Sequence, residues 1–480
     1  MITVEQVDAR VLRMETRLPF RYGIAEMTVV PHVVVEVVLR DTSGRSAKGW
    51  ASEQLPPKWF TKDPETSFSE DLEGLVEVVE QAVARATGVS ARSVFDMWSR
   101  LDADQSAWAS QARVPGLLAG LGTALVERAV IDAACRLDGT TFVRALHSGL
   151  LGFEPGRVHP ELEGVQWRAC LPDRPAERIA VRHTVGFADA LSADEVTDDP
   201  GDGLPVDLEA VVAKYGVSYF KVKTAGDAVA DRARLARLFS LCAAEGIRPH
   251  LTVDGNESMR DGPALLAWMR ELFDDPHVGP ALRESLVAVE QPVHRDRAFS
   301  PGLAEALTNL RAKGVAVIID ESDEDTTAVR RAMDLGYAGG TYKGCKGVFR
   351  GLANAVLVHR RGAGGAPALM TAEDLTTLPP LTVAQDLVVS AAMGLRHIER
   401  NGHHYFGRLV PFSASITDDA LASHPDLYAA DPDVGARLRI EKGELDVTSA
   451  LAAPFGFAPS VDIASLDPLS LETARAAAQA

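Results

Sequence analysis

Three carboxylates, Asp254, Glu290 and Asp320, each close a short apolar run, over 250–254, 286–290 and 315–320. Lys221 and Lys223 lie two apart in a run over 218–223, and Lys343 ends a run over 340–343. Side chains alternate faces along a strand, so Lys221 and Lys223 point one way while Phe220 and Val222 point the other. Two ammonium groups aimed at one interior spot are costly to bury unless carboxylates, a metal-bound anion or a substrate meet them there. An isolated Lys-x-Lys reads first as a solvated strand face, but the acidic run ends that follow favour the interior placement. Three carboxylates sharing one site repel each other unless a cation neutralises them. An all-oxygen shell completed by water suits Mg²⁺. A single Asp at a strand end is more often a helix N-cap; recurrence in three successive units is what points to a metal. A lysine beside a second lysine and near Mg²⁺ has its charged form disfavoured and can take a proton near neutral pH. A metal stabilises the enediolate formed when a proton leaves the carbon next to a carboxylate. Proton abstraction α to a carboxylate is therefore the chemistry this set of residues suits.

The elements that must position these residues follow from the alternation of apolar runs with helix-like stretches between 179 and 402. Eight runs occur, over 179–185, 218–223, 250–254, 286–290, 315–320, 340–343, 367–371 and 396–399. Such alternation predicts a parallel (β/α)₈-type barrel, whose active site lies at the carboxyl ends of the strands. The competing doubly wound sheet lacks its G-x-G-x-x-G fingerprint after the first strand. Upstream, strand patterns at 7–14 and 32–39 with a turn at 41–44, then helical patterns at 68–86 and 117–137, predict a small α+β domain. The Pro-, Gly- and charge-rich stretch 150–178 reads as a linker or long loop. The tail after 410 is irregular, expected to pack back over the first domain, with a frayed helix over 469–480. The predicted fold is thus α/β: a modified (β/α)₈ TIM-type barrel with an N-terminal α+β capping domain. The units are 1–145 (cap), 179–410 (barrel) and 411–480 (return to the cap). Asn256, Glu373 and Glu399 also fall at strand ends. The loops at 19–23, with Arg21 and Tyr22, and at 56–60, with Lys58 and Trp59, carry aromatic and basic residues suited to lining a pocket. His403 and His404 read as solvated loop histidines.

At 480 residues the chain exceeds the usual size of one domain, and 46% hydrophobic with 24% charged residues suits a packed core. A formal charge of −18 argues against a general nucleic-acid or anionic-membrane surface. The four cysteines are scattered and form no C-x-x-C pair, as expected of a reducing compartment. The start Met1-Ile2-Thr3-Val4-Glu5 lacks the basic and apolar regions of a signal peptide, and no apolar run is long enough to span a membrane. The expected setting is the cytoplasm, and the expected partners are a small-molecule carboxylate and further copies of the same chain.

Taken together, Lys-Val-Lys at 221–223, Asp-Gly-Asn at 254–256, Glu-Gln-Pro at 290–292, Asp-Glu-Ser at 320–322 and Lys343 resemble the enolase superfamily, specifically its muconate lactonizing enzyme subgroup. The resemblance spans nearly the whole chain. It implies that Asp254, Glu290 and Asp320 bind Mg²⁺, that Lys223 and Lys343 are the opposed acid/base pair, and that Lys221 tunes Lys223 or contacts the substrate carboxylate. It further implies that the loops bearing Arg21, Tyr22, Lys58 and Trp59 set specificity. Lys343 rather than Lys346 takes the catalytic place, three residues before a second Lys and a following Gly. The implied activity is racemisation, epimerisation or cycloisomerisation, with acid-sugar dehydration and a catalytically silent binding protein as alternatives. A barrel glycosidase using Glu290 with Asp320 or Glu373 would have no use for the three lysines. The sequence departs from the family pattern at 274–284, expected as an inserted surface loop. It also has Lys346-Gly347-Val348 in place of a Gly pair, Glu373 with no His on strand seven, and Glu399-Arg400-Asn401 on strand eight.

Overall fold

Eight parallel strands close on themselves in the computed structural model, which describes residues 1–365 and 367–479. They are barrel strand one (Arg178–Val185), two (Tyr219–Lys223), three (His250–Asp254), four (Leu286–Glu290), five (Val317–Ile319), six (Gly339–Tyr342), seven (Leu369–Ala372) and eight (His397–Arg400). Strand eight pairs with strand one from His397↔Ala180 to Arg400↔His183, which completes the barrel. Each strand but the last is followed by at least one α-helix of eight or more residues, and strand eight by the four-residue helix Gly402–Tyr405. Three of these helices start where the sequence supplies an acceptor for the orphan amides of the first turn: Asp207, Asp227 and Asp261 each accept from backbone N–H groups.

Parallel register makes neighbouring strands end level. Lys223 stands opposite Asp254, and Asp254 opposite Glu290, so these three form one row at the carboxyl edge. Lys221 lies one layer deeper, opposite Thr252. Both lysines face inward, while Phe220 and Val222 pack outward into the apolar core.

The cap is an antiparallel sheet of β1 (Ile2–Tyr22), β2 (Ala25–Asp41) and β3 (Ser46–Gln54), with helices α1 (Phe68–Ala86), α2 (Val94–Ala112) and α3 (Gly116–Leu137). α1 opens with a capping box between Ser67 and Glu70. α3 is buried almost all round because two glycines admit it: a Cβ on Gly122 would stand 2.0 Å from the Val78 carbonyl of α1, and one on Gly49 2.1 Å from the Ala133 amide. Sequence patterning located α1 and α3 but not α2. Its signals were Ser93, which accepts from the Asp96 amide, and the apolar spacing Val94, Met97, Trp98, Leu101. The tail rejoins both units. Glu444–Asp446 pairs antiparallel with barrel strand one, Asp467–Pro468 pairs with β1, and the helix Leu471–Ala478 follows; Ala480, the end of the predicted terminal helix, lies outside the described residues.

Of the two readings of 150–178, the long loop fits: it makes three short 3₁₀ turns and no α-helix, buries Trp167, and packs on the barrel, where His159 bonds Asn354 of the helix Val348–Gly362 at 2.8 Å. One expectation is corrected. The insertion at 274–284 is not a surface loop, since the helix Val278–Ser285 occupies most of it and buries Val278 and Leu282. Among the described residues, no helix is long and apolar enough to cross a membrane.

Candidate active site

Lysines and carboxylates from seven strand ends, two to eight, meet at one mouth of the barrel. Lys221 is the hub: its Nζ donates to Glu290 at 2.7 Å, to Glu373 at 2.8 Å and to Glu399 at 3.2 Å, with Asp254 at 3.3 Å. Lys223 donates to Asp254 at 2.5 Å. Lys343, four strands away around the barrel, donates to Glu373 at 2.7 Å and lies 3.3 Å from Asp320. Lys346 donates to the carboxylate and the carbonyl of Asp320, both at 2.7 Å. Arg182 on strand one joins from below, donating to Glu373 at 2.9 Å. Period-two alternation places Arg182 and Thr184 on one face of an apolar run, and this signal was available in the sequence.

The charge states follow from this geometry. Burial alone would depress the Lys221 ammonium, but Glu290, Glu373, Glu399 and Asp254 outweigh it and hold its pKa well above the ordinary value. Burial is likewise overcome at Lys223, chiefly by Asp254, and at Lys343, chiefly by Asp320 and Glu373. In the protein alone, carboxylates touch every ammonium, and their attraction exceeds the repulsion between lysines; the sequence expectation of a disfavoured charge concerned a lysine that also faces Mg²⁺. Asp254 and Asp320 are held below the carboxylate range, where burial is outweighed by Lys223 and Lys221 in one case and by Lys343 and Lys346 in the other. Glu290 is pushed up, by burial first and then by the charge of Glu373.

Glu290, Asp320 and Glu373 each offer a carboxylate oxygen within 4.8 Å of the others, the only such group of three among the described residues. Glu290 Oε2 is buried with no hydrogen-bond partner. An orphaned acceptor inside a cluster of carboxylates fits a divalent cation. Asp254 lies beside this group, with Oδ2 on Lys223 and Oδ1 accepting the Asn256 amide at 2.7 Å.

A cavity of about 50 Å³ lies above these groups. Of the residues expected to contact substrate, Tyr22, Trp59, Asn256 and Glu399 line it, and Glu373 lies beneath on the lysines. Arg21 and Lys58 do not. Arg21 turns outward to Glu26 at 2.6 Å, because neighbouring strand residues point to opposite faces. Lys58, at φ +58, bonds Thr66 and pairs with Asp71 of α1 at 2.9 Å, tying the loop to its own domain. In their place Phe20, Pro56, Asp374, Leu375, Thr376 and Asn401 complete the wall. Trp59 lies with its ring centroid 5.5 Å from Lys343 Nζ. A latch fixes it there: Arg295 donates to the carbonyls of Phe60 at 3.0 Å and Trp59 at 3.3 Å, and Glu257 pairs with Arg295 at 2.9 Å and Lys62 at 2.8 Å. Asn256, Glu257, Gln291 and Thr376 all hold positive φ around the rim, a concentration of backbone strain found at functional sites.

His403 and His404 are not solvated. They are 8% and 7% exposed, packed against His183, and burial drives both well below the ordinary imidazole range. A larger hollow of about 800 Å³ lies on the cap sheet; it holds none of the strand-end residues, and its charges pair internally, Lys48 with Glu36 at 2.8 Å and Arg10 with Asp8 at 2.9 Å.

No protein-family model and no curated protein matches this sequence. Solved structures do match. A mandelate racemase/muconate lactonizing protein from Herpetosiphon aurantiacus is 16% identical, covers 96% of this chain and 99% of its own, and superposes with a TM-score of 0.56. A mandelate racemase/muconate lactonizing enzyme from Roseiflexus sp. is 16% identical over 95% of this chain and 98% of its own, with a TM-score of 0.57. An enolase from Bradyrhizobium, solved with magnesium and mandelic acid, is 15% identical over 100% and 99%, with a TM-score of 0.55. The chain carries the fold of these mandelate racemase/muconate lactonizing enzyme-like proteins of the enolase superfamily: a closed eight-strand parallel barrel under a separate antiparallel N-terminal sheet domain.

Proposed function

We propose that the protein is a Mg²⁺-dependent enzyme of the enolase superfamily that removes the α-proton of a small carboxylate substrate, as a racemase, epimerase or cycloisomerase of the muconate lactonizing type. The observation that carries this reading is the placement of Lys223 and Lys343 on strands two and six, on opposite sides of a mouth that also holds Glu290 with an unpartnered oxygen. When bound, Mg²⁺ supplies a Lewis acid for the substrate carboxylate and lowers the cost of the charge that builds there. Asp254, Glu290 and Asp320 would hold it. Glu373 is the alternative to Asp254 but already answers Arg182, Lys221 and Lys343, and a dication is better placed farther from three cations.

Lys223, charged in the protein alone, must first shed its proton; its neutral Nζ then takes the α-proton from one face, and Lys343 Nζ returns one, or in its own neutral form removes one, on the other. Lys221 stays charged and holds Glu290, Glu373 and Glu399 in place. The aromatic roof of Phe20, Tyr22 and Trp59 excludes water. A second reading, acid-sugar dehydration, is favoured by one feature. Asp374 lines the cavity with its carboxyl pushed up to about 6 by burial, against the pull of Arg400, so it could protonate a leaving hydroxyl.

The test is proton NMR in D₂O with Mg²⁺ across N-acyl amino acids, dipeptides, acid sugars and lactone precursors. Loss of an α-proton signal without a new product identifies racemisation or epimerisation, and a new spin system identifies ring closure or elimination. Lys343→Ala is expected to lower turnover by about 10²–10⁴-fold while Mg²⁺ binding stays within a few-fold of wild type. Preserved turnover removes Lys343 from the mechanism.

A further inference from the structure

We propose that Glu127, on α3 of the cap, is a positioning residue for Lys343: its carboxylate clamps the loop that carries Lys343 and Lys346. The helix Val348–Gly362 begins five residues after Lys343, and its first amides have no acceptor from their own segment, because the N-cap is Gly347 and no side chain caps it. The acceptor comes from the other domain. Glu127 is 2% exposed; Oε2 accepts from Val348 N at 2.9 Å and Oε1 from Phe349 N at 2.7 Å. Burial pushes the Glu127 carboxyl up to about 8 against the pull of these two amides, so the clamp stands on the two hydrogen bonds rather than on a full charge at the helix dipole.

The loop's glycines record how closely it is held. Gly347 sits at φ +108, and a Cβ there would stand 3.0 Å from Glu127 Oε2. A Cβ on Gly344 would stand 2.2 Å from Asp386 Oδ1 and 3.2 Å from Arg128 Nη1, the residue after Glu127 on α3. At its other end the segment is tied by Glu373 N, which donates to the Tyr342 carbonyl at 2.8 Å. Between the two ties lie only Lys343, Gly344, Cys345, Lys346 and Gly347, so moving the helix start moves both lysines. The strand-two lysines, Lys221 and Lys223, have no such link to α3. The clamp itself stands on these contacts, whereas its effect on chemistry rests on the role proposed above for Lys343.

Two arms on the full-length protein with Mg²⁺ test this. Hydrogen-exchange mass spectrometry compares wild type, Glu127→Gln and Glu127→Ala. The alanine variant is expected to raise exchange at Val348 and Phe349 by about tenfold or more and to leave strand two unchanged; the glutamine variant, whose amide oxygen can still accept one of the two bonds, falls between. The second arm follows α-proton exchange in D₂O of each enantiomer of the substrate returned by the NMR screen, with Lys343→Ala marking the enantiomer served by that lysine. Glu127→Ala is expected to slow exchange of that enantiomer by about 10²-fold and to leave the other within about threefold, with partial recovery in Glu127→Gln. A merely structural loss would lower both faces together. Unchanged exchange at Val348 and Phe349, or equal loss on both faces, overturns the proposal. If wild type exchanges no α-proton from any compound, the proton-abstraction reading falls, and the amide-exchange arm still decides the clamp.

Discussion

Replacing Glu257 by glutamine tests how the roof is held over the candidate site. The Glu257 side chain is fully buried, receives two guanidinium N–H bonds and a backbone bond from Arg295 at 2.9 Å each, and pairs with Lys62 at 2.8 Å. Burial alone would raise its carboxyl, but Arg295 and Lys62 outweigh burial and hold it at about 2 against an ordinary 4.5. That difference corresponds to about 3 kcal/mol of stability at neutral pH. The folded state binds its proton more weakly than the unfolded chain does, so the contribution is present above about pH 4.5 and fades as pH falls towards 2. Glutamine keeps the size and one acceptor but carries no charge and does not titrate. Urea unfolding of wild type and E257Q, followed by circular dichroism, is therefore expected to show wild type ahead at pH 6 by up to about 3 kcal/mol, narrowing by about 2 kcal/mol at pH 3. Other acids titrate in both proteins and cancel in the difference. A gap that stays the same from pH 6 to pH 3 refutes the reasoning, since the stability would then owe nothing to the ionised carboxylate.

The third metal ligand can be assigned by calorimetry with Mg²⁺: Asp254→Asn is expected to weaken binding by well over tenfold, and Glu373→Gln by less; the reverse order would place Glu373 in the shell. Removing the roof aromatic in Trp59→Ala is expected to raise KM by about tenfold, in line with losing a partly buried cation–π contact and apolar wall, with kcat less affected. Lys58→Ala, one residue away but turned towards Asp71, should leave KM within about threefold. Equal effects from the two would return Lys58 to the pocket.

The sequence by itself determined the barrel and the convergence at its mouth. Apolar runs of strand length at one-unit spacing leave few alternatives to a parallel closed sheet. A charged residue ending such a run must then lie at the carboxyl edge, because the covalent chain places it there. Lys221, Lys223, Asp254, Glu290, Asp320 and Lys343 were legible for this reason, and so was the pairing of Lys221 with Lys223 on one face. Only the tertiary structure decided what those groups touch. Glu373 became the common partner of Arg182, Lys221 and Lys343 through contacts spanning up to 191 residues of chain, and no local period encodes such a contact. The same holds for the charge on the lysines, which depends on how many carboxylates lie within a few ångströms. Arg21 and Lys58 have suitable chemistry in suitable loops, yet strand alternation and a left-handed turn send them elsewhere. His403 and His404 look like loop residues, but they lie in the four-residue helix Gly402–Tyr405 after strand eight and are packed against His183. Glu127 reads as one of two acids, with Asp132, on a largely apolar helix. Its role exists only because α3 passes close enough to the helix after strand six for a carboxylate to reach two backbone amides.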